Sequence, residues 1–342
     1  MSARPHPPAA PPAAPRRAPH EALAEWLAED MAAVGALIRE RMASEHAPRI
    51  PEVTAHLIEA GGKRLRPLLT LAAARLCGYR GQDHVKLAAT VEFIHTATLL
   101  HDDVVDESAQ RRGRPTANLL WDNKSSVLVG DYLFARAFQL MVEPGNLAAL
   151  TILADAAATI AEGEVLQLTA AQNLATTEAI YLQVVRGKTA ALFSAATRVG
   201  AVIAGRPAAE ERALFDYGDA LGVAFQIVDD WLDYGGAGAG IGKNLGDDFR
   251  ERKLTLPVIR ALARATPAER AFWERTIAQG RQEPADLAQA QAILARTGAM
   301  ESTRATALAE ARRAKAALEA LPAHPLRAML ADLADFVVER AY

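Results

Sequence analysis

A single cysteine, Cys77, is all the thiol chemistry in 342 residues. It leaves no intrachain disulfide and no cysteine-based metal cage to build, and it suits a reducing, cytoplasmic setting. Aromatic residues make up only 6% while hydrophobic residues reach 51%, so the core must come from Ala, Leu, Val and Ile, in Ala-rich stretches that favour close-packed helices. Long two-residue alternation of apolar and polar positions is missing as well. That removes half-buried strands and leaves an all-α fold class. No apolar run approaches the roughly 18 residues of a membrane span, because charged or polar residues interrupt even residues 85–100, so no integral membrane segment is expected. The formal charge of -3 lacks the broad basic field of a nucleic-acid binder. Any anion binding has to be local.

What is present is helical spacing, from Glu21 to the C-terminus. Proline and glycine break the pattern near residues 48–51, 78–83, 111–115, 144–146, 205–207, 235–242, 267 and 322–325. About ten to thirteen helices with short connections follow, and with no linker to divide them residues 20–342 read as one helical domain. Residues 1–19, MSARPHPPAAPPAAPRRAP, are dense in proline and alanine and hold no acid, so they read as a disordered tail. Arg4, Arg16 and Arg17 also suit a transit peptide, but the repeated prolines oppose the amphipathic helix such a peptide needs.

One acidic pattern occurs twice. LLHDDVVDES carries Asp102, Asp103 and Asp106, and IVDDWLDYGG carries Asp229, Asp230 and Asp233. Residues four apart share a helix face, so Asp102 pairs with Asp106 and Asp229 with Asp233. Each pattern lies where a helix is about to stop, before RRGRP in one case and GGAGAGIG in the other. A helix C-terminus already carries about half a negative charge, so carboxylates placed there require cations. One such cluster alone reads as a solvated helix end. Two clusters, each preceded by apolar residues that bury the helix, read as opposed acidic ends at a cavity mouth. Carboxylate oxygens select hard cations, and magnesium bridges such carboxylates to substrate phosphates. A diphosphate substrate follows.

Cations to hold diphosphate come in short motifs. GGKRLRP places Lys63, Arg64 and Arg66 just before a helical segment; Arg111 and Arg112 follow the first acidic cluster; Lys188 and Thr189 lie in VRGKTA; Lys243 and Lys253 follow the second cluster. Forked guanidinium groups and compact ammonium groups together suit polyphosphate. A single surface lysine or arginine is usually a solvated charge, and it is the clustering beside glycine and acid motifs that argues for a site. A P-loop is ruled out because Leu182 stands where GxxxxGK[ST] requires glycine. His95 lies seven residues before Asp102, on nearly the same helix face, where a packed core histidine is the alternative.

GGKRLRP, EFIHTATLLHDDVVDESAQRRGRPTAN, SVLVGDYLFARAF, EGEVLQL, GKTAALF, AFQIVDDWLDY and GKNLGDDFRERKLTLP together resemble the trans-isoprenyl diphosphate synthase family, most of all its long-chain branch, which makes octaprenyl to decaprenyl diphosphates. The likeness spans residues 55–260. It implies an isoprenoid-synthase-type antiparallel helix bundle around a deep central cavity, with both aspartate motifs at its mouth. Asp102, Asp106 and Asp229 would hold about three magnesium ions, with Asp103, Asp230 and Asp233 acting directly or through water. Isopentenyl diphosphate would meet Lys63, Arg66, His95 and Arg112. The allylic diphosphate would meet Arg111, Lys188, Thr189, Gln226, Lys243 and Lys253, of which Lys188, Thr189 and Gln226 also serve catalysis. Small Ala97 and Thr98 would let a long product pass. The family's reaction would then give a long-chain all-trans polyprenyl diphosphate, a precursor of a quinone side chain, made by a homodimer that releases product at a membrane surface. A shorter-chain synthase, a terpene cyclase and a non-catalytic subunit of a heteromeric synthase are the other readings. The DDWLD pattern and the basic isopentenyl site oppose a cyclase, and survival of both acidic motifs opposes a silent subunit. One departure is visible: Arg252 stands where the family often has glycine.

Overall fold

The computed structural model describes residues 17–44, 46–59, 62–111, 113–235 and 245–339. Helices α1 (Pro19–Trp26), α2 (Ala28–Met42), α3 (Arg49–Glu59) and α4 (Leu65–Leu76) lead into the long α5 (Asp83–Val105). A two-residue antiparallel ribbon, β1 (Gln110–Arg111) and β2 (Arg114–Pro115), separates α5 from α6 (Ala117–Leu120), α7 (Asn123–Val142) and α8 (Leu147–Ala170). Helix α9 (Glu178–Val185) runs through a π-helical turn, Arg186–Ala190, directly into α10 (Ala191–Ile203), followed by α11 (Ala208–Asp233). The chain closes with α12 (Asp247–Arg250), α13 (Leu256–Leu262), α14 (Pro267–Trp273), α15 (Asp286–Arg296), α16 (Ala299–Ala317) and α17 (Pro325–Glu339). Seventeen α-helices among the described residues exceed the ten to thirteen expected. Single turns such as α6 and α12 carry too little periodicity to register in sequence, and a π turn splits one helix at a lone Gly187 that leaves the helical spacing unbroken.

The fold is all-α, and among the described residues the short ribbon, Gln110–Arg111 with Arg114–Pro115, is the one departure. Residues 1–16 of the expected 1–19 tail lie outside the described residues. Of its last three positions, Pro19 already opens α1, where its fixed φ suits a first helical residue and its missing N–H costs nothing. Among the described residues no helix is long and apolar enough to cross a membrane.

Two helices set the frame for the site. Helix α10 is buried on almost every side, through Leu192, Phe193, Ala196, Val199 and their neighbours, and so lies enclosed by α4, α5, α8 and α11. Helix α5 packs chiefly on α7 and α4, and α11 packs on α10 and α16. The main core runs through these helices, while a second cluster built on Tyr234, Phe249, Phe272, Trp273 and Ile277 lies under the chain that follows α11. That satellite core anchors the segment bearing Lys253, since Phe249 stacks on Phe272 at 6.4 Å between ring centroids.

Candidate active site

The first acidic motif ends α5, and its three aspartates part company. Asp103 points about 100° around the helix from Asp102 and is fully buried, where it receives Arg111 Nε at 2.8 Å and Nη2 at 2.7 Å. Burial raises the Asp103 pKa against the pull of Arg111, and Arg111 stays charged because Asp103 outweighs its own burial. Asp102 and Asp106 share the other face and meet lysines from distant segments: Lys188 Nζ lies 3.5 Å from Asp102, and Lys253 Nζ 2.9 Å from Asp106.

Lys188 reaches Asp102 because of a backbone crossing between α8 and the π turn. An added Cβ on Gly163 would sit 2.6 Å from the Lys188 amide nitrogen, and one on Gly187 would sit 3.0 Å from Gly163 Cα. Only glycines allow this approach. It sets Glu164 beside Lys188, 2.5 Å from Nζ. Burial pushes the Glu164 carboxyl up to about 7, with Lys188 opposing and Asp102 adding to the rise. Lys188 is in turn held in its charged form, against burial, by Asp102 and Glu164. The next residue, Thr189, turns to α11 and donates its hydroxyl to Gln226 Oε1 at 2.8 Å. Adjacent residues of one π turn therefore touch the elements of both acidic motifs.

In the second motif Asp229 is half-buried, whereas Asp230 and Asp233 are buried. Asp230 accepts from Tyr181 Oη at 2.6 Å and from Gln226 Nε2 at 2.8 Å. Asp233 accepts the amides of Asp247 and Asp248 at 3.1 and 3.0 Å, capping the chain reversal that leads to Lys253. Burial, with Asp230 and Asp233 nearby, raises the Asp248 pKa well above the usual carboxylate range. Lys253 lies between Asp106 and Glu251, 2.6 Å from the latter, and these carboxylates keep it charged against burial. Arg252 takes φ 58°, the left-handed conformation that glycine adopts without strain. Its carbonyl accepts the Gln172 amide at 3.3 Å, and its guanidinium packs at Gly280. Beside it Lys253 reaches Asp106 and Glu251.

On the other side, α4 and α5 bring Arg66 and His95 together, with Nη1 3.1 Å from Nε2. Because guanidinium can only donate, His95 accepts through Nε2 and carries its proton on Nδ1. Arg66 also lies over the Phe193 ring at 4.5 Å, and Lys63 Nζ lies 4.8 Å from the ring centre of Phe336 on α17. Ala97 is fully buried; Thr98 is half-buried and donates to the His95 carbonyl at 2.8 Å. Arg112 and Lys243 lie outside the described residues. Sequence reading missed Glu164, Tyr181, Asp248 and Glu251. EGE offered a faint signal for Glu164, but nothing in a one-dimensional pattern says that Tyr181 meets an aspartate 49 positions away.

The donor set fits magnesium. Asp102, Asp106 and Asp229 offer only carboxylate oxygens, and no three acidic, imidazole or thiol groups among the described residues converge into a ready cage. Carboxylate oxygens suit a hard ion that keeps water and completes its shell with substrate phosphate.

The Polyprenyl synthetase family profile matches residues 47–294. The chain is 45% identical over 311 residues to the octaprenyl diphosphate synthase of Escherichia coli (strain K12), covering 91% of this chain and 96% of that protein. Among solved structures, a decaprenyl diphosphate synthase from Rhodobacter capsulatus superposes with a TM-score of 0.92 at 73% identity, over 94% of this chain and 99% of that one. A polyprenyl synthase from Caulobacter crescentus CB15, complexed with calcium and isoprenyl diphosphate, gives 0.91 at 53% identity, over 96% of this chain and all of that one.

Glu164 makes stability depend on pH in a stated direction. Its carboxyl holds a proton up to about 7 when folded, against 4.5 ordinarily, so its contribution is complete below pH 4.5 and is lost as the pH rises through about 7. Urea unfolding of the ligand-free protein across that window is expected to show a shallower decline for Glu164→Gln than for the wild type. An unchanged slope would disprove the assignment.

Proposed function

The chain belongs to the polyprenyl synthetase family, and from that premise we propose that it condenses isopentenyl diphosphate head-to-tail with an allylic diphosphate to give an all-trans octaprenyl-to-decaprenyl diphosphate. The pairing of Lys188 with Asp102 and of Lys253 with Asp106 carries this reading, because it sets charged ammonium groups beside the acids that would hold the metal. The long-chain relatives support the product class, and a quinone side chain is its proposed destination in the cytoplasm. A homodimer is proposed through α7 and α8, whose Leu128, Phe138, Val142, Leu147, Val165 and Leu168 are exposed. Apolar side chains gathered on adjoining helices mark a surface for association.

Magnesium, about three ions held by Asp102, Asp106 and Asp229, would supply Lewis-acid charge to the allylic diphosphate. Once the aspartates are neutralised, Lys188 and Lys253 are free to turn to the phosphate oxygens, with Arg111, Gln226 and Lys243 completing the subsite, while Thr189, whose proton goes to Gln226 Oε1, offers its oxygen beside them as an acceptor. Lys63, Arg66, His95 and Arg112 hold isopentenyl diphosphate. The allylic carbon–oxygen bond breaks as the cations take up the charge of the leaving diphosphate. The double bond of isopentenyl diphosphate then bonds to the allylic carbon, and a proton passes to the departing diphosphate. The product is again allylic, so the cycle repeats until the tail meets a wall. Small side chains at Ala97 and Thr98 leave that wall far from the metals.

Three measurements test this reading. Asp102→Ala and Asp229→Ala are each expected to lower turnover at saturating magnesium by more than about a hundredfold while the melting temperature holds or rises, since repulsion is relieved. Turnover near wild type would refute the metal site. Thr98→Phe is expected to shorten the product to farnesyl or geranylgeranyl length with the first condensations intact, and Ala97→Phe to act the same way at some cost in stability. Chromatography of dephosphorylated products decides; an active Thr98→Phe enzyme still centred on octaprenyl to decaprenyl would show that the tail runs elsewhere. Light scattering is expected to report a dimer for the wild type and a monomer for Leu128→Glu/Phe138→Glu. A dimeric double variant would place the interface elsewhere.

A further inference from the structure

Four side chains link the second acidic motif to the π turn, and the direction of every bond among them is forced. Tyr181 Oη, facing a carboxylate, must donate to Asp230. Gln226 can satisfy the same carboxylate only through its Nε2 hydrogens, so its Oε1 faces Thr189. Thr189 therefore commits its only proton to Gln226, and the oxygen it presents elsewhere is an acceptor. Whatever meets Thr189 in the loaded site must donate a hydrogen bond or carry positive charge.

Tyr181 is 5% exposed and stands on α9, seven residues before Lys188 on the same continuous run of helix. Among the described residues its bond to Asp230 is one of two side-chain hydrogen-bond links from α9 to other helices. The other is Glu178, whose carboxylate receives Arg260 at 2.6 and 3.3 Å. Only the Tyr181 anchor acts on a motif aspartate. We propose that Tyr181 is a positioning residue for prenyl transfer: through Asp230 it holds the Gln226 amide in one orientation and so keeps Thr189 an acceptor beside Lys188. Removing the phenol hydroxyl takes away one of the bonds that orient Asp230, and so weakens the hold on the Gln226 amide and on the direction of the Thr189 hydroxyl. This assignment rests on the prenyl-transfer reading above.

The test is a double-mutant cycle on the full-length enzyme with saturating magnesium and both diphosphates. Tyr181→Phe is expected to lower kcat about tenfold, with the Michaelis constant for isopentenyl diphosphate unchanged within about twofold, as loss of one hydrogen bond to a charged group predicts. In an Asp230→Asn background the same substitution is expected to cost little more. Glu178→Gln, which loosens the other anchor, is expected to lower the melting temperature and leave kcat near wild type. An unaffected Tyr181→Phe enzyme, an equal loss in both backgrounds, or an equal kcat loss in Glu178→Gln would each overturn the assignment, as would a Tyr181→Phe protein that melts below the assay temperature. A wild type that does not elongate the primer would overturn the prenyl-transfer reading and this assignment with it; normal wild-type elongation beside an unaffected Tyr181→Phe enzyme would overturn this assignment alone.

Discussion

Negative charge crowded at the C-terminal ends of α5 and α11 is the constraint to which the rest of the site answers. Each helix already presents the negative end of its dipole there, and each adds an aspartate motif. At the α5 end the protein offsets this with cations drawn from three different places: Arg111 on the ribbon, Lys188 on the π turn and Lys253 beyond α12. None belongs to either acidic helix. The acids in turn keep Lys188 and Lys253 charged in partly buried positions where an isolated ammonium would tend to lose its proton. The cations proposed to stabilise a leaving diphosphate are thereby charged before it arrives, which is the arrangement electrostatic catalysis requires.

Holding that charge pattern takes backbone precision. Gly163 and Gly187 let α8 and the π turn touch main chain to main chain, so that Glu164 and Asp102 reach Lys188 from two sides. A π turn widens the helix locally, and here Lys188 faces α5 while Thr189 faces α11. On the far side Phe249, stacked in the satellite core, fixes the short α12 turn, and Asp233 caps that turn from the motif itself. One aspartate of the second motif is thus spent on building the segment that delivers Lys253. Another, Asp230, orders Gln226.

The residues legible in advance were those whose role depends on local spacing. Asp102 and Asp106 fall on one face because four residues make about one helical turn, and in the structure both meet lysines there. The same rule paired Asp229 with Asp233, yet Asp233 is buried as a cap, because the helix ends at that residue and its carboxylate finds two backbone amides instead. Asp103 and Asp230 read like their neighbours in sequence. Burial against Arg111 and Tyr181 distinguishes them, and burial is a property of the packed molecule.

Sequence by itself determined the helical class, the two acidic helix ends, the hard-cation chemistry and the lysines and arginines available to answer it, because composition, periodicity and side-chain chemistry are local. Tertiary structure alone decided which cation meets which acid, that Glu164 and Tyr181 join the site, and that Arg252 stands at a left-handed position next to a Lys253 that reaches Asp106. These outcomes depend on contacts between segments up to 147 residues apart, as between Lys253 and Asp106. No spacing rule reaches that far, since the distance between two such groups is set by how helices pack and not by how many residues lie between them.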